Sequence, residues 1–151
     1  MAETLGSLCD KLTIVKLKQW HSQDEQRLSS LSLQEKQLQN EIDGFVADAL
    51  AGEIAPQRLA FAANKVFKEE GNVVTDVVGS IGEVVSQLAS VNCELWHEQE
   101  KVYEFETVAP EDKDGVVKQL ALLNLQRNKC IDQIDRQLQA AVQKVSENVR
   151  L

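Results

Sequence analysis

A chain of 151 residues is the size of one domain, and at that size folding buries roughly 68 to 70% of the unfolded chain's surface, so neither a disulfide nor a metal staple is required. Its 24 acidic against 16 basic side chains give a formal charge of −8, which opposes attraction to phosphate backbones and anionic membranes and excludes nucleic acid as an expected partner. The opening Met1-Ala2-Glu3-Thr4 lacks the basic and apolar regions of a signal peptide, and no apolar run approaches the length of a membrane span; a cytoplasmic protein without membrane insertion is expected.

Only two prolines and seven glycines occur, and they fall mostly where helical periodicity breaks, so the expected fold is all-α, a single helical-bundle domain over residues 1–151. Thr4 can cap a first helix running to about residue 28. Ser29-Ser30-Leu31-Ser32 then interrupts, and Ser32-x-x-Glu35 is a capping box for a second helix running to about residue 51. Gly52 is a natural left-handed stop, Pro56 suits the first turn of a short third helix, and Gly71-Asn72 ends that helix and caps a fourth. The fourth continues to about residue 107, and the segment 108–115 is a loop before a fifth that reaches almost to the C-terminus. The sequence thus predicts an elongated antiparallel bundle of about five helices. The last two, at about 33 to 36 residues, would each be roughly 50 Å long.

The fifth helix carries a seam at Val116, Leu120, Leu123, Arg127, Ile131, Ile134, Leu138, Ala141, Val145 and Val149, with one arginine inside it. The fourth begins with Val74, Val77, Val78, Ile81, Val85 and Leu88, after which the same stripe meets Asn92, Leu95 and Gln99; Gly79 and Gly82 would permit a bend or close helix approach there. Two stripes longer than the first three helices can cover imply a homo-oligomer, most simply a dimer. The first helix shows a similar mixed row, Asp10, Ile14, Leu17, His21, Asp24 and Leu28. A buried Arg127 requires compensation, with Asp10 the first candidate and Asp24 or Glu100 next.

Trp20-His21-Ser22-Gln23-Asp24 and Trp96-His97-Glu98-Gln99-Glu100 share the pattern W-H-x-Q-acid. In each, His and carboxylate are three apart on one helical face, a spacing that bundles use for metal ligands, and Glu94 adds an E-x-x-H unit. His21, Asp24, Glu94, His97 and Glu100 are therefore the candidate ligands of a divalent metal. A full di-iron set is not matched, since position 18 is Lys where Glu would be needed. The plainer reading makes Trp20 and Trp96 residues of the core edge, with ordinary hydrogen bonds satisfying the histidines. Asp132-x-x-Asp135 has the step used by helical enzymes that cleave nucleoside triphosphates to monophosphates, but no E-x-x-E partner lies in an apolar helical setting. Phosphate-loop, nucleophile-elbow and zinc-helix motifs do not occur. Cys9, Cys93 and Cys130 are far apart, without ligand spacing, and read as free thiols.

The segment Gly6-Ser7-Leu8-Cys9-Asp10-Lys11-Leu12-Thr13-Ile14 resembles the opening of uncharacterised bacterial helical domain families that read roughly G-[ES]-L-x-D-K-L-[TS]-I. Asn92-Cys93-Glu94-Leu95-Trp96 is similar to their N-x-x-L-W, with Glu100 matching an acidic residue further on, and Arg127-Asn128 to their R-N segment. His97 stands where some members carry Asp. The resemblance implies an all-helical protein, often encoded among glycosyltransferase and surface-polysaccharide genes, with no activity to carry over. It proposes Asp10, Lys11, Asn92, Trp96, Glu100, Arg127 and Asn128 as a shared ligand-binding constellation. Three functions are compatible with these readings: an accessory or small-ligand-binding factor related to glycan metabolism, taking a small anionic ligand; a metal-dependent hydrolase of a phosphorylated small molecule or nucleotide sugar; and a purely structural interaction module.

Overall fold

The computed structural model describes residues 2–62 and 76–149, and all regular structure among them is helical. The described residues contain four α-helices, α1 (Leu5–Trp20), α2 (Glu25–Ala51), α3 (Ile81–Tyr103) and α4 (Pro110–Val149), with 3₁₀ turns at Pro56–Arg58, after α2, and at Phe105–Thr107, between α3 and α4. The all-α class is as expected, with four α-helices rather than about five. The expected break at 71–72 lies outside the described residues.

Three boundaries differ from the sequence reading, each for a local reason. Thr4 caps α1 with Ser7 completing a capping box, but the helix stops at Trp20 because Asp24 begins the next one, its carboxylate accepting from the Arg27 N–H at 3.0 Å. The serines at 29, 30 and 32 lie inside α2 instead of interrupting it. Turning the chain at 21–24 lets Leu31 and Leu38 pack with Leu8 and Val15, which a turn at 29–32 would prevent. Gly79, expected within a helix, has φ +128 and precedes Ser80, which caps α3 through a reciprocal box with Glu83. In α4, Pro110 opens the helix, followed in the first turn by Glu111 and Asp112, both favourable at a helix N-terminus, so Gly115 is absorbed and the loop is shorter than expected. Gly52, at φ 79, ends α2 as expected.

Helix directions follow from contacts at both ends. Asn92 meets Asp10 and Thr13, while His21 meets Trp96, so α1 and α3 run parallel. The Gln137 amide donates to the Gly79 carbonyl at one end of the α3–α4 hairpin, making that pair antiparallel. Lys16 and Gln19 both reach Glu35 across the α1–α2 turn. Helix α1 packs against each of the other three. One apolar cluster joins Leu5, Val84, Leu88, Cys130, Ile134 and Leu138, and a second lies between α1 and α2.

With 40 residues against 23, α4 spans about 60 Å to about 35 Å for α3. Its seam also drifts. Cys130 and Val142 are buried, where the sequence pattern puts Ile131 and Ala141, and Val145 and Val149 end exposed.

Candidate functional site

Asn92 follows Leu88 by one turn on the apolar face of α3, and that position makes it buried, with 3% of its surface exposed. Its amide donates both protons across to α1, to Asp10 Oδ1 at 2.9 Å and to Thr13 Oγ1 at 2.7 Å. The Thr13 hydroxyl donates in turn to the Asp10 carbonyl at 2.8 Å. Two members of the expected constellation, Asp10 and Asn92, are therefore each other's partners.

A second polar contact joins α1 to α4. The Gly6 N–H donates to Asp135 Oδ1 at 2.7 Å, and only glycine fits there, because a Cβ would stand 2.4 Å from the Ile131 carbonyl oxygen. Burial pushes the Asp135 carboxyl up to about 6, although the Gly6 N–H and the Thr4 side chain pull it down. Burial, reinforced by Asp135 and Asp10, pushes the Cys9 thiol up to about 11, and burial alone raises Cys130. Neither is a thiolate near neutral pH, which agrees with free, unreactive cysteines.

Arg127 lies one turn before Ile131 on α4, as Asp10 lies one turn after Gly6 on the oppositely directed α1. The four-residue steps place it at the level of Asp10 and Asn92. The expected pairing with a carboxylate is nonetheless wrong. The Arg127 Nε is buried with no hydrogen-bond partner, and none of the ion pairs among the described residues includes this side chain. Each expected partner is engaged otherwise: Asp10 by Asn92, Asp24 by its own helix start, and Glu100 by the Trp96 indole.

The two W-H-x-Q-acid segments come together where α1 ends. His21 stacks on Trp96 with ring centroids 4.6 Å apart, and its ring meets His97 edge-on at 6.3 Å. His21 Nδ1 lies 2.8 Å from the Leu17 carbonyl, the Trp96 N–H donates to Glu100 Oε1 at 2.9 Å, and Glu100 Oε2 is 3.8 Å from His97 Nδ1. Of the five candidate metal ligands, His21, His97 and Glu100 are thus gathered around Trp96, whereas Asp24 is turned to its own cap and Glu94 is exposed. Among the described residues no group of three or more His, Cys, Asp or Glu side chains is disposed to hold a metal ion. Trp20, expected at the core edge, is 85% exposed.

Lys11 leaves the constellation altogether. It pairs with Glu3 over an open groove between α1 and α2 that Lys18, Gln34, Gln37 and Glu41 also line. Asn128 is half-buried on α4. Sequence reasoning missed Gly6, Thr13 and Asp135 as interhelical polar contacts. Asp135 carried a signal, since it stands beside Ile134 and one turn before Leu138, both buried on α4.

No protein-family model, curated protein or solved structure matches the chain. Among the described residues, no helix is long and apolar enough to cross a membrane.

Proposed function

We propose that this chain is an accessory interaction module, in which the polar residues of α1 and α3 fix how the helices meet and an outer surface engages a partner. The observation that carries this reading is the closed set of hydrogen bonds from Asn92 to Asp10 and Thr13. Residues that satisfy one another at a helix contact specify register, whereas residues of a ligand site present unsatisfied groups to a cavity. The hydrolase reading is less supported, because Asp24 and Glu100, which it needs as ligands, are engaged by the α2 cap and the Trp96 indole. An accessory role beside glycan-building enzymes is what the resemblance adds to this proposal. A dimer fits it too, as Val145 and Val149 leave apolar surface at the end of α4.

One observation favours a second reading. The buried, unpartnered Arg127 Nε beside the polar layer suits a small anionic ligand that would complete it. Thermal melting with Mn²⁺, Fe²⁺ and Zn²⁺, and with inorganic phosphate, citrate and a nucleoside diphosphate, separates the readings. The interaction module predicts no rise in melting temperature. A rise with metal that disappears in His21→Ala/His97→Ala would restore the metal site, and a rise with an anion that disappears in Arg127→Leu would restore the ligand site.

A further inference from the structure

Because α1 and α3 run parallel and α4 starts where α3 stops, Trp20, Tyr103 and Val117 share one end of the bundle. All three are exposed, Trp20 at 85% and Tyr103 at 77%. Side chains that could bury 150 to 250 Å² each are held in water there, although the core a few residues away is closed. The two aromatics sit at the last residues of α1 and α3, and among the described residues no neighbouring helix covers either of them.

The charge of this end is one-sided. From Glu104 to Asp114 there are five carboxylates, Glu104, Glu106, Glu111, Asp112 and Asp114, all exposed, against the single cation Lys113. Lys113 lies over the Phe105 ring, with its Nζ 4.8 Å from the centroid, and Lys101 is paired with Glu98. Lys18 in the last turn of α1, Arg27 and Lys118 are the other cations near this end, while Asp24, Glu25 and Glu100 add further acid, so carboxylates still outnumber cations. A second copy of the chain would bring an equally acidic end against this one, which like-charge repulsion opposes in a molecule of net charge −8.

We infer that this aromatic, acidic end is a docking surface for an arginine-rich segment of a partner protein. Guanidinium is the group that answers both features at once: its plane stacks on Trp and Tyr faces while its N–H groups pair with carboxylates. Lysine answers the charge but stacks less well, so the surface should distinguish the two. The Lys113–Phe105 contact is a small version of the same cation-on-ring arrangement within the chain. This inference rests on the reading of the protein as an interaction module and adds the class of its partner.

Fluorescence anisotropy of a labelled peptide of alternating arginine and glycine, titrated with the full chain, tests it. Binding is expected to weaken as salt rises, to be several-fold tighter than for the lysine counterpart, and to be absent for the glutamate counterpart. The variant Trp20→Ala/Tyr103→Ala removes exposed side chains, and unchanged far-ultraviolet circular dichroism verifies its fold. It should bind roughly 10-fold or more weakly, the loss typical of truncated aromatic anchors. Equal binding by wild type and variant would overturn the inference, because the peptide would then be sensing bulk acidity. No binding would overturn it too, as would self-association of the wild type that the double substitution abolishes, since the occupant would then be a second copy. Failure here with no ligand-induced rise in melting temperature would leave the interaction module standing. A rise that depends on Arg127 would remove that broader reading, whatever the peptide does.

Discussion

The Gly6 backbone N–H donates to Asp135 Oδ1 at 2.7 Å, tying the first turn of α1 to α4 across 129 positions of the chain. The approach is so close that helix backbones, not side chains, are in contact, with Ile131 O inside the space of a Gly6 Cβ.

Gly6→Ala sets two effects against each other. Alanine gains about 1 kcal/mol of helix propensity over glycine. Its methyl group, however, would meet a backbone oxygen at 2.4 Å, and relief requires α1 and α4 to move apart, at an overpacking cost of roughly 1 to 3 kcal/mol. The clash should win, and urea denaturation should show a lowered midpoint.

Asp135 gives a pH dependence whose sign is fixed. Its folded-state pKa of about 6 lies above the ordinary 3.8, so the folded protein holds the proton more tightly than the unfolded one. The associated stability is fully present below 3.8 and is lost as pH rises through about 6. From about pH 7.5 down to pH 5, wild-type stability should therefore increase, by on the order of 1 to 3 kcal/mol. Asp135→Asn keeps an acceptor for Gly6 and has nothing to titrate, so its urea midpoint should be nearly flat over the same range. Glu3 and Glu35, whose pKa values are lowered by their partners, act in the opposite sense at lower pH, outside this window.

Arg127→Leu should be tolerated. Removing one partner of a buried ion pair costs about 3 to 5 kcal/mol, but here no carboxylate is stranded, and leucine would extend the stripe between Leu123 and Cys130. A urea midpoint equal to or above that of the wild type is expected. A loss of several kcal/mol would reveal a bound anion or partner at this side chain.

The fold was legible wherever one physical signal was strong. Thr4, Gly52 and the α3 and α4 stripes placed a helix start, a helix stop and a hairpin, since caps and periodicity are local properties. The α1–α2 turn was misread because serines break helices only when nothing holds them. Packing of Leu31 against Leu8 and Val15 held them, and that contact is not written in the residues between 21 and 32. The polar layer was half legible. Asn92 and Arg127 were visible as interruptions of apolar stripes, but an interruption does not name its partner. Pairing Asp10 with Arg127 on charge failed because Asn92 reaches Asp10 from the adjacent helix. The echo of W-H-x-Q-acid suggested metal ligands at helical spacing, whereas the contact that joins the two segments is the stacking of His21 on Trp96, which spacing within either helix does not specify.

The claim that the Asp10–Asn92 contact is architectural is tested most directly by a double-mutant cycle on stability in urea. Asp10→Leu and Asn92→Leu should each destabilise by about 1 to 3 kcal/mol, because each leaves a polar group of the layer without its partner. The double variant should recover a large part of the summed loss, giving a coupling energy of about 1 kcal/mol or more and leaving peptide binding at the aromatic end unchanged. Coupling near zero, with both single variants as stable as the wild type, would contradict the account by showing that these residues do not hold the helices together.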